Sequence, residues 1–493
     1  MSAFTGLDLA VLLLYLGGIT IWGAWLGRGQ TGGTDYFLGN RDLPWGAVLL
    51  SVVATETSTL TFLSVPGVAY MGTLAFLQLT FGYLVGRTVA ARLLLPAYFR
   101  GELTTAYELL HRRFGLGTRR FTSAVFMVTR LLGDSVRLAL TAIPLALITG
   151  WSYPLSIGVM GALTLVYTYL GGIKAVVWVD ALQMGLYLLG ALAAVVALQA
   201  LIPGGWVGAL ISAGQAGKLQ VLDFSPDPAI TYTFWAGLVG GAFLSMASHG
   251  TDQLIVQRLL TCRDLRSSQR ALVGSGIVVI AQFAIFLVLG LGLWAFYGGR
   301  RFESPDVIFP MFIIEQLPPG VTGLVIAAVF AAAMSTLSSS INSLASSTAY
   351  DFWAPLAGVG RDDARILKAG RAFTLVWAAL LVGGAIVFTR LPREAASVEV
   401  ALGIASVVYG GLLGAFGLGV LSERADQRSV IVGMVLGIGT VAVIWRTVSS
   451  VAFPWYVLIG SVITFTVGHI LGRGGAAPLD DPLAAAAALK RAA

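Results

Sequence analysis

Residues 49–70 read LLSVVATETSTLTFLSVPGVAY. Apolar residues flank a polar core, Ala54-Thr55-Glu56-Thr57-Ser58-Thr59, inside a segment long enough to cross a bilayer. A carboxylate at membrane depth costs about 2.5–3.5 kcal/mol on insertion scales. Hydroxyls beside it can bond their own backbone and weaken the helix ladder, and Pro66 and Gly67 follow. The stretch reads as a helix interrupted at the membrane midplane, where freed carbonyls and side chains can hold an ion and a solute. It also fits a polar stripe facing a neighbouring helix, and by itself it does not separate the two.

The rest of the chain makes the membrane setting firm. Its 493 residues are 57% hydrophobic and 11% charged, with a mean hydropathy of +0.84. A soluble domain of that length needs a more polar surface. Apolar runs of about 20 residues suit helices rather than barrel strands, which would alternate over about ten. The 61 glycines suit close helix packing in lipid. The lone Cys262 excludes an internal disulfide. The pI near 9.6 reflects Lys and Arg in loops, with no basic patch interleaved with aromatics, so nucleic-acid binding is not implied. The first apolar run, Leu7 to Leu26, lacks a basic leader and cleavage site and reads as a retained membrane helix.

Thirteen spans are predicted, at roughly 4–28, 43–71, 73–97, 120–149, 154–172, 178–202, 231–250, 271–298, 322–346, 369–390, 397–421, 428–447 and 454–472. Residues 1–474 then form one transmembrane domain, and 475–493 a short Ala-rich cytoplasmic tail ending near Lys490 and Arg491. With the N-terminus outside, inner segments carry twenty-one Lys and Arg and outer segments six, which places the C-terminus in the cytoplasm of a multi-pass inner or plasma membrane protein. Four arginines stay inside spans: Arg87, Arg92, Arg130 and Arg137. Arg87 and Arg92 lie near an inner end and can snorkel.

Ionisable residues within spans are functional candidates. Glu56 is the first. In the fourth span Arg130, Asp134 and Arg137 are spaced by four and three, on one helix face. Asp134 neutralises one arginine, and the deeper Arg137 is the expected binder of an anionic group through its bidentate fork. In the alternative, Arg137 is the paired one, or pairs with Glu56. Asp180, opening the sixth span, is either a cation ligand or a charge favoured at a helix N-terminus. In the ninth span, Ser335, Ser338 and Ser339 share a face, which with the Ala332 carbonyl and the Thr336 hydroxyl gives an all-oxygen surface. Such a surface suits a weakly held hard monovalent cation. A small-residue packing face with hydroxyl links is the alternative. Enzyme readings find little: His111, His249 and His469 are scattered, no P-loop is present, and the serine runs lack a nearby base.

Five stretches in order carry a family pattern. They are Asp35-Tyr36-Phe37-Leu38-Gly39 with Leu43-Pro44-Trp45, the opening stretch ending Pro66-Gly67-Val68-Ala69-Tyr70, GGIKAVVWVDALQ at 171–183, Gly250-Thr251-Asp252-Gln253-Leu254-Ile255-Val256-Gln257-Arg258, and the Ala/Ser run at 331–343. Over about residues 5–450 the chain resembles the sodium/solute symporter family, which includes sodium-coupled sugar, proline, sialic acid, iodide and monocarboxylate transporters. The resemblance implies an all-α LeuT-type core of five-plus-five inverted repeats, about 43–202 and 231–421, with one helix before and two after. The first helix of each repeat would be broken, with Gly237, Gly240 and Gly241 easing the second break.

Carried over by motif, the main sodium site falls on the carbonyls of Ala54 and Thr57 and on Ala332, Ser335 and Thr336, where Thr336 stands in place of the more usual Ser. A second sodium site, which some members have, would use Asp180, Ser338 and Ser339. The solute would lie beside the break, against Glu56, Ser58, Thr61, Gln78, Arg137, Asp252 and Gln253. Glu56 departs from the neutral or Asp residues expected there. The resemblance implies sodium-driven symport of a small organic solute, carboxylate or sugar-like, by alternating access, with sodium as coupling ion and no organic cofactor. The alternatives are a proton-coupled carrier using Glu56 or Asp180, a solute sensor without transport, and a membrane-embedded enzyme. Oligomeric state is not implied.

Overall fold

The structure, a computed structural model, describes residues 4–30, 32–100, 103–360, 363–390 and 397–474. The expected tail at 475–493 lies outside the described residues. The described residues are helical throughout, apart from loops and one isolated bridge between Leu43 and Cys262. Among its helices are α1 (Gly6–Leu26), α2 (Trp45–Glu56), α3 (Thr59–Met71), α4 (Leu77–Leu93), α5 (Leu116–Thr149), α6 (Tyr153–Leu201), α7 (Gly241–Gly250), α8 (Gln253–Leu259), α9 (Leu265–Phe296), α10 (Val321–Ser347), α11 (Ala364–Phe388), α12 (Ser397–Leu421), α13 (Gln427–Thr447) and α14 (Pro454–Leu471).

Eight helices among the described residues are long and apolar enough to cross a membrane. The pair α2 and α3, bent by 62° at its break, makes a ninth. Four spans separate that count from the thirteen read in the sequence: α4 with 17 residues and α7 with 10 are shorter than a full crossing, one span is merged into α6, and α5 is not among the eight. Helix α6 covers two expected spans in one run of 49 residues. At 1.5 Å per residue it would be about twice too long for one bilayer crossing, and it turns at Gly172, whose φ of 53° and ψ of −155° suit glycine alone. Helix α5, of 34 residues, carries Arg130, Asp134 and Arg137 near its centre.

Burial is sorted as a bilayer demands. On α1, Leu13, Leu14, Ile21 and Trp25 are exposed, whereas Leu12, Leu16 and Ile19 are buried. Helix α10 lies at the centre, with 89% of its apolar window buried, and packs most extensively on α6. Its N-terminus is capped from outside its own helix: Asp8 Oδ1 accepts the amides of Gly320 at 2.7 Å and Gly323 at 2.8 Å. Helix α4 presents Gly82 and Gly86 to the stretch 237–246, where an added Cβ would sit 2.1 Å from the carbonyl oxygens of Gly237 and Ala242. This is small-residue packing that lets two backbones touch.

Two breaks define the centre. At the first, Thr57 (φ −81°, ψ 85°) and Ser58 (φ −79°, ψ 172°) leave the helical region between α2 and α3. The Ser58 amide donates to Glu56 O at 3.0 Å instead of to Ala54 O, its partner in a continuous helix. The second lies at Thr251 and Asp252, where Asp252 is extended (φ −85°, ψ 125°) and caps α8 by accepting from Leu254 N. The expected second break at Gly237, Gly240 and Gly241 is therefore displaced. Those glycines continue through a π-helical turn, Ala236–Gly240, into α7, and Gly237 and Gly241 meet Gln78 and Leu79 backbone instead.

Candidate functional site

Between the two breaks lies a cavity with about 810 Å³ of empty space, its solvent mouth included. Of the residues named from the sequence for the solute, Glu56, Ser58, Thr61 and Arg137 line it. Gln78, Asp252 and Gln253 do not. Gln78 binds backbone: its amide nitrogen donates to Ala75 O and Tyr232 O, and its oxygen accepts from Asp223 N. Gln253 turns away to accept from Ala106 N at 2.7 Å. Asp252 stands one layer behind the cavity, accepting from Arg130 Nη2 at 2.5 Å and from Tyr409 Oη at 2.8 Å.

The arginine assignment on α5 differs from the sequence expectation. Asp134 pairs with Arg137 at 2.9 Å, whereas Arg130 lies 3.6 Å from Asp134 and takes Asp252 as its closer partner. Arg137 is thus not left over. It is nonetheless the more open of the two, with 20% side-chain exposure against 9%. Its Nε makes no hydrogen bond, and it also lines a smaller void with Ser58, Asp134 and Thr336.

Arg87 does not snorkel. It is fully buried, donating to Glu56 and to Ser275. Glu56, expected either to pair with Arg137 or to meet the solute, is paired with Arg87, and His249 Nε2 lies 3.5 Å away. The sequence reading also passed over Tyr83, Ser245, Ser248, His249 and Tyr409, all of which line the cavity. Ser245, Ser248 and His249 had a visible signal: spacings of three and four place them on one face of an apolar helix.

Asp180 lies well inside α6 and is fully buried, so the helix-end reading does not describe it. It joins three helices. Oδ2 accepts from Ser51 at 2.6 Å and from Arg258 at 3.1 Å, and Oδ1 accepts from Ser335 at 2.7 Å. Ser338 and Ser339 both donate to Ser335 O, and Arg258 also donates to Ser339. Thr336 donates to Ala332 O at 3.2 Å. Thr57 Oγ1 accepts from Gln282 at 2.5 Å. Among the described residues no group of three His, Cys, Asp or Glu is placed to hold a metal ion. The oxygen-rich surface of α10 is of the other kind, with hydroxyls and carbonyls beside one carboxylate.

Residues 36–437 match the model of the Sodium:solute symporter family. The chain belongs to that family. The symporter is 30% identical to the sodium/sialic acid symporter NanT of Aliivibrio fischeri, over 95% of this chain and 93% of that protein. It is also 30% identical to the human sodium/iodide cotransporter, over 90% of this chain and 70% of that one. Its fold matches the substrate-bound outward-open state of a Na+-coupled sialic acid symporter with a TM-score of 0.85 and 26% identity, covering 95% and 98% of the two chains. A nucleobase-cation-symport-1 family transporter, Mhp1, shares the fold at a TM-score of 0.54 and 13% identity. The symporter is therefore a multi-pass membrane transporter that couples a small solute to sodium, and not an enzyme.

Proposed function

We propose that the symporter carries a small organic anion across the membrane with sodium, and that Arg137 receives the anionic group. The observation that carries this is the state of Arg137: part-exposed, lining both voids beside the first break, with an unbonded Nε. A guanidinium paired on one edge still offers donors on the other. Relatives named for iodide and for monocarboxylate fit an anionic solute.

Sodium would bind at the break, on the carbonyls of Ala54 and Thr57, with Ala332 O and the hydroxyls of Ser335 and Thr336. The turned Ser58 amide supports this, since it leaves the Ala54 carbonyl without its helical donor. Ser335 and Thr336 donate their protons elsewhere, which leaves oxygen lone pairs for an ion. The paired breaks at Thr57–Ser58 and Thr251–Asp252 support thirteen spans with inverted repeats at about 43–202 and 231–421. The charge bias supports an outer N-terminus and a cytoplasmic C-terminus in the cell membrane. Each sodium ion moving through 100 mV supplies about 2.3 kcal/mol to drive the rocking of the bundle. Glu56 and Asp180, the two candidate proton sites, are both engaged by arginines, which weighs against proton coupling.

The test is uptake into proteoliposomes. Monocarboxylate uptake should require sodium, Thr336→Ala and Ser335→Ala should raise the sodium concentration for half-maximal rate, and Arg137→Gln should abolish uptake. Undiminished uptake in sodium-free buffer would overturn the reading.

A further inference from the structure

The cavity holds a second polar group that the anion site does not use. Glu56 pairs with the buried Arg87, so its charge is balanced from behind. Its side chain keeps 15% exposure and lines the cavity, and among the described residues its second oxygen has no donor. His249 lines the same wall with only 3% exposure, and its Nε2 makes no hydrogen bond. Nδ1 lies 2.8 Å from Ser248 Oγ. The tautomer that avoids lone-pair repulsion with Glu56 has Ser248 donating to Nδ1 and the proton on Nε2. The wall thus offers a carboxylate acceptor and an imidazole N–H donor side by side.

That pair discriminates. A hydroxyl can donate to Glu56 and accept from His249 at once. An ammonium has no acceptor for the imidazole N–H, and a methylene satisfies neither group. A buried polar pair left unmatched rejects the ligand that fails to match it. Resting on the anion reading above, we propose that Glu56 and His249 form a hydroxyl-reading subsite, so that the preferred solutes are hydroxylated carboxylates rather than plain ones. Glu56 and His249 act here as specificity-determining residues, while Arg87 positions Glu56.

The experiment measures sodium-dependent thermal stabilisation of the purified full chain by three six-carbon probes: gluconate, hexanoate and sorbitol. Gluconate should half-saturate at a concentration at least about tenfold below hexanoate, the effect of one or two hydrogen bonds to a charged group. His249→Phe, which keeps the Glu56–Arg87 pair, and Glu56→Gln should each remove that preference while hexanoate still binds. If Glu56→Gln does not fold with Arg87 unpaired, His249→Phe decides alone. Equal binding of gluconate and hexanoate by the unaltered protein, a preference that survives in His249→Phe, or no stabilisation by any probe would overturn the proposal. The sorbitol arm separates the two readings. Sorbitol equal to gluconate overturns the anion site, and the contrast of gluconate with hexanoate then still judges the hydroxyl subsite.

Discussion

Asp180 and Arg258 pair at 3.1 Å with no exposure of either side chain, and the same guanidinium reaches Ser339. Arg258 therefore occupies the Asp180 Oδ2 and Ser339 edge of the second sodium site expected at Asp180, Ser338 and Ser339. A second ion on that edge would compete with the Arg258 guanidinium for the same oxygens. Arg258→Gln should leave Asp180 as an uncompensated buried charge, a cost of about 3–5 kcal/mol. The variant should be markedly less stable in potassium, and sodium should restore it by binding the folded form. Adding Asp180→Asn should cut the sodium stabilisation back to what the unaltered protein shows. Melting temperatures in the two salts check this, and an Arg258→Gln protein no more sensitive to sodium than the unaltered one would show that Asp180 does not take the ion.

Arg130, Asp252 and Tyr409 join α5, the second break and α12. Removing one partner strands a charge. Arg130→Gln or Asp252→Asn alone should each cost about 3–5 kcal/mol, and the double variant should cost less than the sum of the two. Urea or thermal unfolding of the four proteins completes the cycle. Additive losses would mean that the pair contributes no coupling.

The first break was legible because it contradicts its surroundings: six polar or small residues in an otherwise apolar span leave little room for a continuous ladder. The second break was misplaced because glycine carries two messages, bending and close packing, and Gly237 and Gly241 serve packing. The pairing of Arg130 was beyond reach of spacing. Its partner Asp252 lies 122 positions away, whereas Asp134 is one helical turn away and so drew the assignment. Arg87 looked like a snorkelling residue by its place near a helix end. Only the packing of α2 against its neighbours brings Glu56 to it. The α10 hydroxyl face was visible by its spacing, but not that Asp180 and Arg258 meet it.

Acid should weaken the short helix Glu108–Phe114 at His111. Burial first, and then the charge of Arg119, pushes its pKa down from 6.5 to about 4. Between those values the unfolded chain binds a proton that the folded chain refuses, so stability falls as pH drops from about 6.5 towards 4 and levels below that. His111→Asn should be less sensitive than the unaltered protein across this window. Melting curves at pH 7, 6, 5 and 4 in one buffer series give the difference between the two. Parallel curves would place the acid sensitivity elsewhere.

The contact of α4 with the stretch 237–246 admits no side chain at Gly82 or Gly86, since a Cβ at either would lie 2.1 Å from a carbonyl oxygen. The atom it meets is backbone, so no rotamer change relieves the clash and the helices must separate. Gly86→Leu should therefore cost about 1–3 kcal/mol by overpacking. Because α4 holds Arg87 next in sequence, the separation should also draw Arg87 from Glu56 and disturb the cavity wall. Gly133→Ala on α5, where an added Cβ meets nothing within 4 Å, should be neutral or slightly stabilising. Thermal stability and solute affinity measured together test both: Gly86→Leu should lose both, and Gly133→Ala neither. A Gly86→Leu protein with unchanged solute affinity would show that the Arg87–Glu56 pair does not depend on this packing.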